Sequence, residues 1–237
     1  MPIDFKIRSF RSELLDAPYI RKELLLKNLQ ELDFINRLFG GHSVSLQGIK
    51  QLINNHTTSY HVTDLGCGSG DAILYMANWA RKHNYQVTFT GIDKNADAIA
   101  FLMRKCKDYP EINGIESDYY AYLQTVKTID IVHCSLFCHH LNDEELFLLV
   151  DFLNQHTKTG FVINDLHRHW LLYGAVWGIT HLTGGSELSK NDGPLSVLRA
   201  FKKNELIGLL NKIQVKSYSV RWKWAFRYLL ISYYTKV

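Results

Sequence analysis

The stretch His61-Val62-Thr63-Asp64-Leu65-Gly66-Cys67-Gly68-Ser69-Gly70-Asp71 decides the fold of this chain. Its first half has the apolar character of a buried strand, and good helix formers follow Asp71. Three glycines stand between the two, so the stretch predicts a strand, a tight turn and a helix. Glycine lets a ligand approach the backbone closely, and a helix N-terminus exposes unpaired N–H groups. The stretch therefore predicts a cradle for a nucleotide-like ligand.

Strands and helices alternate after this turn, which predicts a doubly wound, mostly parallel sheet. The further strands are predicted at 86–93, 114–118, 129–135 and 160–165, and an antiparallel hairpin at 214–221 and 225–234. Residues 1–59 have helical spacing and are predicted to form an N-terminal cap on a second domain, 60–237. That domain carries a helical and loop insertion, 167–200.

Composition excludes several classes of protein. The net charge of +4 over 237 residues is too small to favour nucleic acid or an anionic membrane as a partner. The four cysteines are sparse and fall in apolar segments, which is typical of reduced cytosolic thiols. The residues after Met1 lack an apolar core, so no signal peptide is expected. The longest uncharged apolar stretch, 170–182, is too short to span a bilayer and predicts a buried helix, with a loop at 184–194.

The glycine spacing distinguishes between known kinds of nucleotide site. Asp64-x-Gly66-x-Gly68-x-Gly70 departs from the G-x-G-x-x-G pattern of nicotinamide enzymes and lacks the Lys-Ser/Thr of a P-loop. It resembles the first motif of class I S-adenosylmethionine-dependent methyltransferases, in their small-molecule branch. With the terminal hairpin, the resemblance spans about 55–235. It implies a Rossmann-like seven-stranded sheet, S-adenosylmethionine as cofactor and S-adenosylhomocysteine as product.

Acidic residues at strand ends extend the predicted cofactor site. Asp93 stands at the offset where a carboxylate meets a ribose, although it could instead cap the next helix. The resemblance implies that Asp118 faces the adenine, where the alternative is an ordinary loop aspartate. Asp64 fixes the turn or meets the methionine amino group. The predicted cofactor-binding residues are Asp64, Gly66, Cys67, Gly68, Gly70, Asp93, Lys94, Asp118, Tyr119 and Ser135.

A histidine pair follows the fourth strand, in Ser135-Leu136-Phe137-Cys138-His139-His140-Leu141. In the family this position lies beside the sulfonium methyl, and a neutral imidazole can accept a phenol proton. His139 or His140 is therefore the candidate general base; alternatively, one caps a helix and the other packs. No metal is expected, because the C-x3-C spacing of Cys134 and Cys138 is unusual for zinc.

The substrate pocket is predicted from the aromatic residues after the fourth and fifth strands. Trp170, Tyr173 and Trp177 fall at i, i+3 and i+7 on one helical face, which could wall an apolar pocket or pack in the core. The predicted pocket residues are Phe137, His167, Trp170, Tyr173 and Trp177.

These features predict a cytoplasmic enzyme that methylates a hydroxyl of a small apolar or aromatic metabolite, such as a phenolic or polyketide-like compound. The alternatives are carbon methylation of a quinone-type precursor, a non-catalytic cofactor-binding module on the same fold, and a nicotinamide dehydrogenase. The expected partner is the small-molecule acceptor, without nucleic acid or stable membrane insertion. A homodimer is an open alternative to a monomer.

Overall fold

The structure is a computed structural model that describes residues 3–17 and 19–234. Its strands are β1 (Tyr60–Leu65), β2 (Val87–Asp93), β3 (Ile112–Glu116), β4 (Ile129–Ser135), β5 (Thr157–Leu166), β6 (Tyr218–Lys223) and β7 (Arg227–Tyr233). Its helices are α1 (Lys22–Leu38), α2 (Gly41–Leu52), α3 (Asp71–Lys82), α4 (Ala96–Lys105), α5 (Tyr119–Thr125), α6 (Asp143–His156), α7 (Trp170–Leu182), α8 (Glu187–Arg199) and α9 (Lys203–Ile213). Short 3-10 turns cover Leu14–Asp16 and Cys138–His140.

The strands form one sheet in the order β3-β2-β1-β4-β5-β7-β6. The first five strands are parallel, and β7 is antiparallel to both β5 and β6. This confirms the doubly wound sheet with an antiparallel terminal hairpin, although β6 begins at Tyr218 rather than at 214. The strand order reverses between β1 and β4, and ligands of open α/β sheets bind beyond the carboxyl ends of the strands at such a point.

Helices cover both faces of the sheet, so the strands are apolar on both sides, as expected of a parallel sheet. Helices α2, α3 and α4 pack on one face, and α5, α6 and α9 pack on the other. Gly48 of α2 lies so close to β5 and β7 that a Cβ would meet Val162 Cγ1 at 2.5 Å and Leu229 Cδ1 at 3.1 Å. Thus α2, inside the range predicted as a cap, covers the sheet. The division at 59/60 stays a prediction, and the ends of both ranges lie outside the described residues.

The prediction of a loop at 184–194 is wrong, because most of this segment belongs to α8. Glycine and proline are strong helix breakers in sequence, and Pro194 removes one hydrogen bond from the helix interior. Tertiary contacts compensate. Ser186 caps the helix by accepting the Ser189 N–H at 3.2 Å, and the Asp192 carboxylate accepts the N–H groups of Leu14 and Leu15 at 2.8 and 2.9 Å.

Helix α7 has the predicted bounds but not the predicted burial. Only Leu172 and Thr180 are buried, whereas Trp170 and Trp177 are 62% and 51% exposed. Its packed face meets α8, where a Cβ on Gly193 would lie 2.9 Å from Val176. No helix among the described residues is long and apolar enough to cross a membrane.

Candidate active site

A cavity of about 420 Å³ opens at the carboxyl ends of β1, β2 and β4, within the size range of small-ligand sites. Most of the predicted cofactor residues line it. These are Asp64, Gly66, Cys67, Gly68, Asp93, Lys94, Asp118, Tyr119 and Ser135. Gly70 does not, since it occupies the N-cap of α3, where a Cβ would meet Leu102 at 2.7 Å.

The glycine turn is held in place by backbone hydrogen bonds to β2. The N–H groups of Gly66 and Cys67 donate to the carbonyl oxygen of Ile92 at 2.9 and 3.1 Å. Gly66 and Gly68 have φ values of 69° and 53°, in the left-handed region that favours glycine. The turn therefore presents bare backbone to the cavity, as the sequence predicts.

Asp93 connects the glycine turn to the end of β2. Its Oδ2 accepts the N–H of Gly68 at 2.9 Å, and its Oδ1 accepts the N–H of Asn95 at 2.9 Å. Burial raises the pKa of this carboxyl, and the two backbone hydrogen bonds oppose that shift. A carboxylate has about four acceptor sites, so it can accept two further hydrogen bonds from a ligand.

Asp118 caps a helix and also lines the cavity, and its predicted position beside the adenine stays a prediction. Its Oδ1 caps α5 by accepting the N–H groups of Tyr120 and Ala121 at 2.9 and 3.1 Å, while the residue also lines the cavity. The neighbouring Tyr119 ring meets the Phe137 ring edge to face, with centroids 5.2 Å apart. An acidic and an aromatic group thus border the same end of the cavity.

A buried polar network that sequence reasoning missed lies behind Asp64. Asp64 Oδ1 is 2.7 Å from His133 Nδ1, and His133 Nε2 is 2.8 Å from the Ser45 hydroxyl. Asn164 Nδ2 donates to the same hydroxyl at 2.9 Å and to Ser135 Oγ at 3.4 Å. The only sequence signal is a histidine inside the apolar run of β4. The network orients Asp64, because a buried polar group needs its partners.

The structure separates the two candidate catalytic histidines. His140 lines the cavity, and its Nδ1 is 2.9 Å from Oδ1 of Asp16, which also lines it. His139 is buried outside the lining, with Nδ1 2.7 Å from Oδ1 of Asp165. The two rings lie 4.4 Å apart. Only His140 is thus placed to contact a ligand in the cavity.

Glu13 faces both histidines from the N-terminal segment. Its carboxylate oxygens lie 3.8 Å from His139 Nε2 and from His140 Nε2. One potential ligand atom from each of these residues lies within 4.8 Å of the others, so the group has metal-competent ligand types. The Arg199 guanidinium, 3.7 Å from Glu13 Oε1, already supplies a positive charge to this carboxylate. Arg199 also donates to the carbonyl oxygens of both histidines, which clamps the 3-10 turn.

The apolar part of the cavity lining comes largely from the N-terminal segment and α1, to which sequence reasoning assigned no site residue. It includes the side chains of Leu15, Ile20, Leu25, Leu29, Leu32 and Phe137. Three polar residues of the same region also line the cavity, namely Asp33, Asn36 and His42. His42 Nε2 lies 2.9 Å from Asp33 Oδ1. In the sequence, these residues are marked only by the helical spacing of the leucines in α1. Only the tertiary structure shows that these leucines line the cavity.

Four predicted pocket residues do not line this cavity, and only Phe137 does. Trp170, Tyr173 and Trp177 are on α7, which packs against α8 rather than over the cavity. His167 pairs with the β6–β7 hairpin, where its ring lies 4.9 Å from that of Tyr228, and burial lowers its pKa to about 4. A position soon after the end of β5 was therefore not sufficient to place these four side chains in the cavity.

Residues 62–160 match the family model of the methyltransferase domain. This segment contains the glycine turn, Asp93, Asp118 and the histidine pair. Residues 62–160 of this chain are therefore a methyltransferase domain, and the chain has the fold of the S-adenosylmethionine-dependent enzymes. The comparison with curated proteins found no match.

Solved structures share the fold of this methyltransferase at low sequence identity. The plantazolicin methyltransferase BpumL, solved with SAH, is 18% identical over 87% of this chain and 75% of its own, with a TM-score of 0.62. An O-methyltransferase family protein from Burkholderia thailandensis is 12% identical over 87% and 58%, with a TM-score of 0.62. A SAM dependent methyltransferase from Aquifex aeolicus is 15% identical over 90% and 98%, with a TM-score of 0.59. These identities establish a common fold alone.

The methyltransferase should carry a pH-dependent stability that originates at Glu13. Burial raises the pKa of this carboxyl from 4.5 to about 7, against the nearby His140 and Arg199. Because the folded-state pKa lies above the unfolded one, stability falls as the pH rises through this interval. We expect Glu13→Gln to remove this loss, which amounts to about 3 kcal/mol for a shift of this size.

The measurement is urea unfolding of the parent and of Glu13→Gln, near the acidic end of this interval and at about pH 8. The free energy of unfolding of the parent should fall relative to that of the variant between the two conditions. Equal pH dependence in the two proteins would show that Glu13 ionises at its ordinary value.

Proposed function

We propose that this methyltransferase transfers the methyl group of S-adenosylmethionine to a hydroxyl oxygen of a small apolar or aromatic metabolite. The observation that carries the proposal is the composition of one cavity. Its lining combines the glycine turn and strand-end carboxylates with leucines of α1 and with the His140–Asp16 pair. An apolar pocket with few polar groups suits an apolar acceptor that presents one hydroxyl.

The glycines and carboxylates of the cavity lining fit the parts of the cofactor. The remaining acceptor sites of Asp93 receive the ribose hydroxyls, and Asp118 with Tyr119 borders the adenine. Asp64, held by His133, accepts from the methionine ammonium. Gly66, Cys67 and Gly68 present backbone to the ligand, and Lys94 and Ser135 border it. When bound, the cofactor supplies an electrophilic methyl group on a sulfonium.

His140 takes the proton of the acceptor hydroxyl. Asp16 accepts the Nδ1 hydrogen of His140, which leaves Nε2 as the basic nitrogen. Among the described residues, no group lies within hydrogen-bond distance of that Nε2. The bound cofactor would supply the methyl group to the acceptor oxygen, and His140 would receive the hydroxyl proton that this oxygen loses. Alignment of oxygen and carbon at roughly 3–3.5 Å supplies much of the rate.

The acceptor test uses pairs of compounds that differ only at the oxygen. Simple phenols, hydroxylated polyketide-like aromatics and hydroquinones are each assayed with S-adenosylmethionine beside their methyl ethers, and S-adenosylhomocysteine formation is measured. We expect turnover with the free hydroxyl compounds and none with the ethers, because an ether oxygen has no proton for His140 to remove.

The structure of the product separates oxygen from carbon methylation. Methylation of oxygen removes a free hydroxyl, whereas methylation of a ring carbon keeps every hydroxyl and gives a product of the same mass. A methylated product that keeps all its hydroxyl groups by NMR would contradict the proposal and favour carbon methylation of a quinone-type precursor.

A further inference from the structure

Arg227, the first residue of β7, is a buried arginine that the proposed function does not use. It is only 3% exposed, and its Nε and Nη1 have no hydrogen-bond partner among the described residues. Its Nη2 donates to Oδ1 of Asn36 at 2.6 Å. Burial lowers the pKa of the guanidinium to about 10, so it stays charged at neutral pH. Buried charges are normally paired, which makes this one a candidate for binding an anionic group of a ligand.

The guanidinium of Arg227 lies against the N-terminus of α2. A Cβ on Gly41, the first residue of this helix, would be 2.9 Å from Nη2 of Arg227. The N-cap residue is Gly40, and no side chain caps the helix there. Because a helix N-terminus carries positive partial charge on its first N–H groups, two independent sources of positive potential meet at this point.

The cavity wall separates this guanidinium from the proposed acceptor by one side chain. Asn36, in the last turn of α1, lines the cavity, and so does His42 of α2. Burial lowers the pKa of His42, and the nearby charge of Arg227 adds to that shift against the hydrogen bond from Asp33. Asp33 itself is already paired, since its Oδ2 lies 2.9 Å from Arg37 Nε. Arg227 is thus the buried charge behind this part of the wall that still lacks a carboxylate.

We propose that Arg227 binds a carboxylate of the methyl acceptor, which takes the position that Asn36 Oδ1 holds at Nη2. This inference rests on the proposed function and narrows it to aromatic hydroxy acids, with the hydroxyl at His140 and the carboxylate near the start of α2. Either edge of the guanidinium that includes Nη2 has a second unpartnered nitrogen, so the carboxylate is bound bidentately. The half-buried Asn36 side chain can turn and donate its amide N–H to the same carboxylate.

The methionine carboxylate of the cofactor is the other source of the same chemistry. Its ammonium group is proposed to lie at Asp64, at the end of β1. In the sheet, β4 and β5 stand between β1 and β7, so Arg227 begins three strands, or about 14 Å, away from Asp64. The acceptor, held beyond β4 by His140, is the nearer partner.

The test measures binding of 4-hydroxybenzoate, 4-hydroxyphenylacetate and 4-hydroxycinnamate to the SAH-saturated protein by isothermal titration, each beside its neutral amide. Arg227→Met removes the charge and keeps an unbranched apolar side chain. Asn36→Asp places a carboxylate of the protein at Nη2 and tests the contact without changing the buried arginine. The matched control is Arg221→Met, an exposed arginine of β6 outside the cavity lining.

We expect the parent and Arg221→Met to bind at least one acid about tenfold or more tightly than its amide, as a charge-assisted bidentate contact implies. In Arg227→Met and in Asn36→Asp, the two affinities should agree within about twofold. A parent that binds no acid better than its amide would overturn the inference, and so would either variant that keeps the preference. Loss of SAH binding in Arg227→Met would assign the guanidinium to the cofactor carboxylate and would also overturn it.

Turnover of the same compounds with S-adenosylmethionine distinguishes this inference from the proposed function. An acid that binds more tightly than its amide but is not methylated on its hydroxyl would contradict the proposed function and leave the carboxylate contact standing. Methylation of the hydroxyl with equal binding of acid and amide would contradict the carboxylate contact alone.

Discussion

Replacing Asp93 with alanine is expected to weaken SAH binding by about a hundredfold or more, because two charge-assisted hydrogen bonds to a ligand disappear. The substitution also removes the acceptor of the Gly68 N–H, which Asp93 Oδ2 holds at 2.9 Å. Both losses act on the part of the cavity that the glycine turn forms. Isothermal titration of SAH into the parent and the variant measures the change.

Two further variants separate the causes. Asp93→Asn keeps an oxygen for the Gly68 N–H but loses the charge, so its affinity should fall between those of the parent and the alanine variant. Asp151→Ala removes a half-buried carboxylate of α6 that does not line the cavity, and this variant should bind SAH as the parent does. Unchanged SAH binding by Asp93→Ala would contradict the proposed ribose contact, and binding of NAD by the parent would call for another cofactor orientation.

Replacing His140 with glutamine is expected to lower kcat by about 10²–10⁴-fold, which is the typical contribution of a general base. Glutamine can still donate to Asp16, so the 3-10 turn and the N-terminal segment keep their contact. SAH affinity should stay within about twofold of the parent value, because the proposed role of His140 is to take a proton from the acceptor and not to bind SAH. The measurement is steady-state turnover of the best hydroxyl acceptor from the panel.

The pH profile of the same reaction distinguishes a base from a packing residue. If His140 accepts the proton, the acidic limb of the parent kcat profile should disappear in the variant. His156→Gln, at the C-terminal end of α6 and outside the cavity lining, is the matched control and should keep the parent profile. If the variant keeps the parent kcat at every pH, His140 is not the general base. That result would not bear on the proposed cofactor site.

Features encoded within a few neighbouring residues were predictable from the sequence. The strand, glycine turn and helix around 60–82 follow from local backbone preference, since left-handed φ values select glycine. Asp93 and Asp118 follow from the rule that parallel strands end at one edge of the sheet. Antiparallel β6 and β7 follow from two apolar runs joined by a short turn.

Features that depend on distant partners were not predictable. The partner of His140 is Asp16, more than a hundred positions earlier in the chain, and contacts of the N-terminal segment with Arg199 and Asp192 bring them together. The helicity of α8 depends on contacts of Ser186 with α1 and of Asp192 with the N-terminal segment. Helical periodicity placed Trp170, Tyr173 and Trp177 on one face of α7. It did not show whether that face packs in the core or meets solvent.

The sequence by itself determined the fold class, the cofactor cradle and the position of the histidine pair at the edge of the sheet. These depend on backbone preference and on side-chain alternation, which act over short distances along the chain. Only the tertiary structure decided that His140 faces the cavity while His139 is buried, that α1 lines the cavity, and that the tryptophans of α7 are exposed. The reason is that burial and charge pairing depend on which remote segments pack together, and the local sequence does not encode that choice.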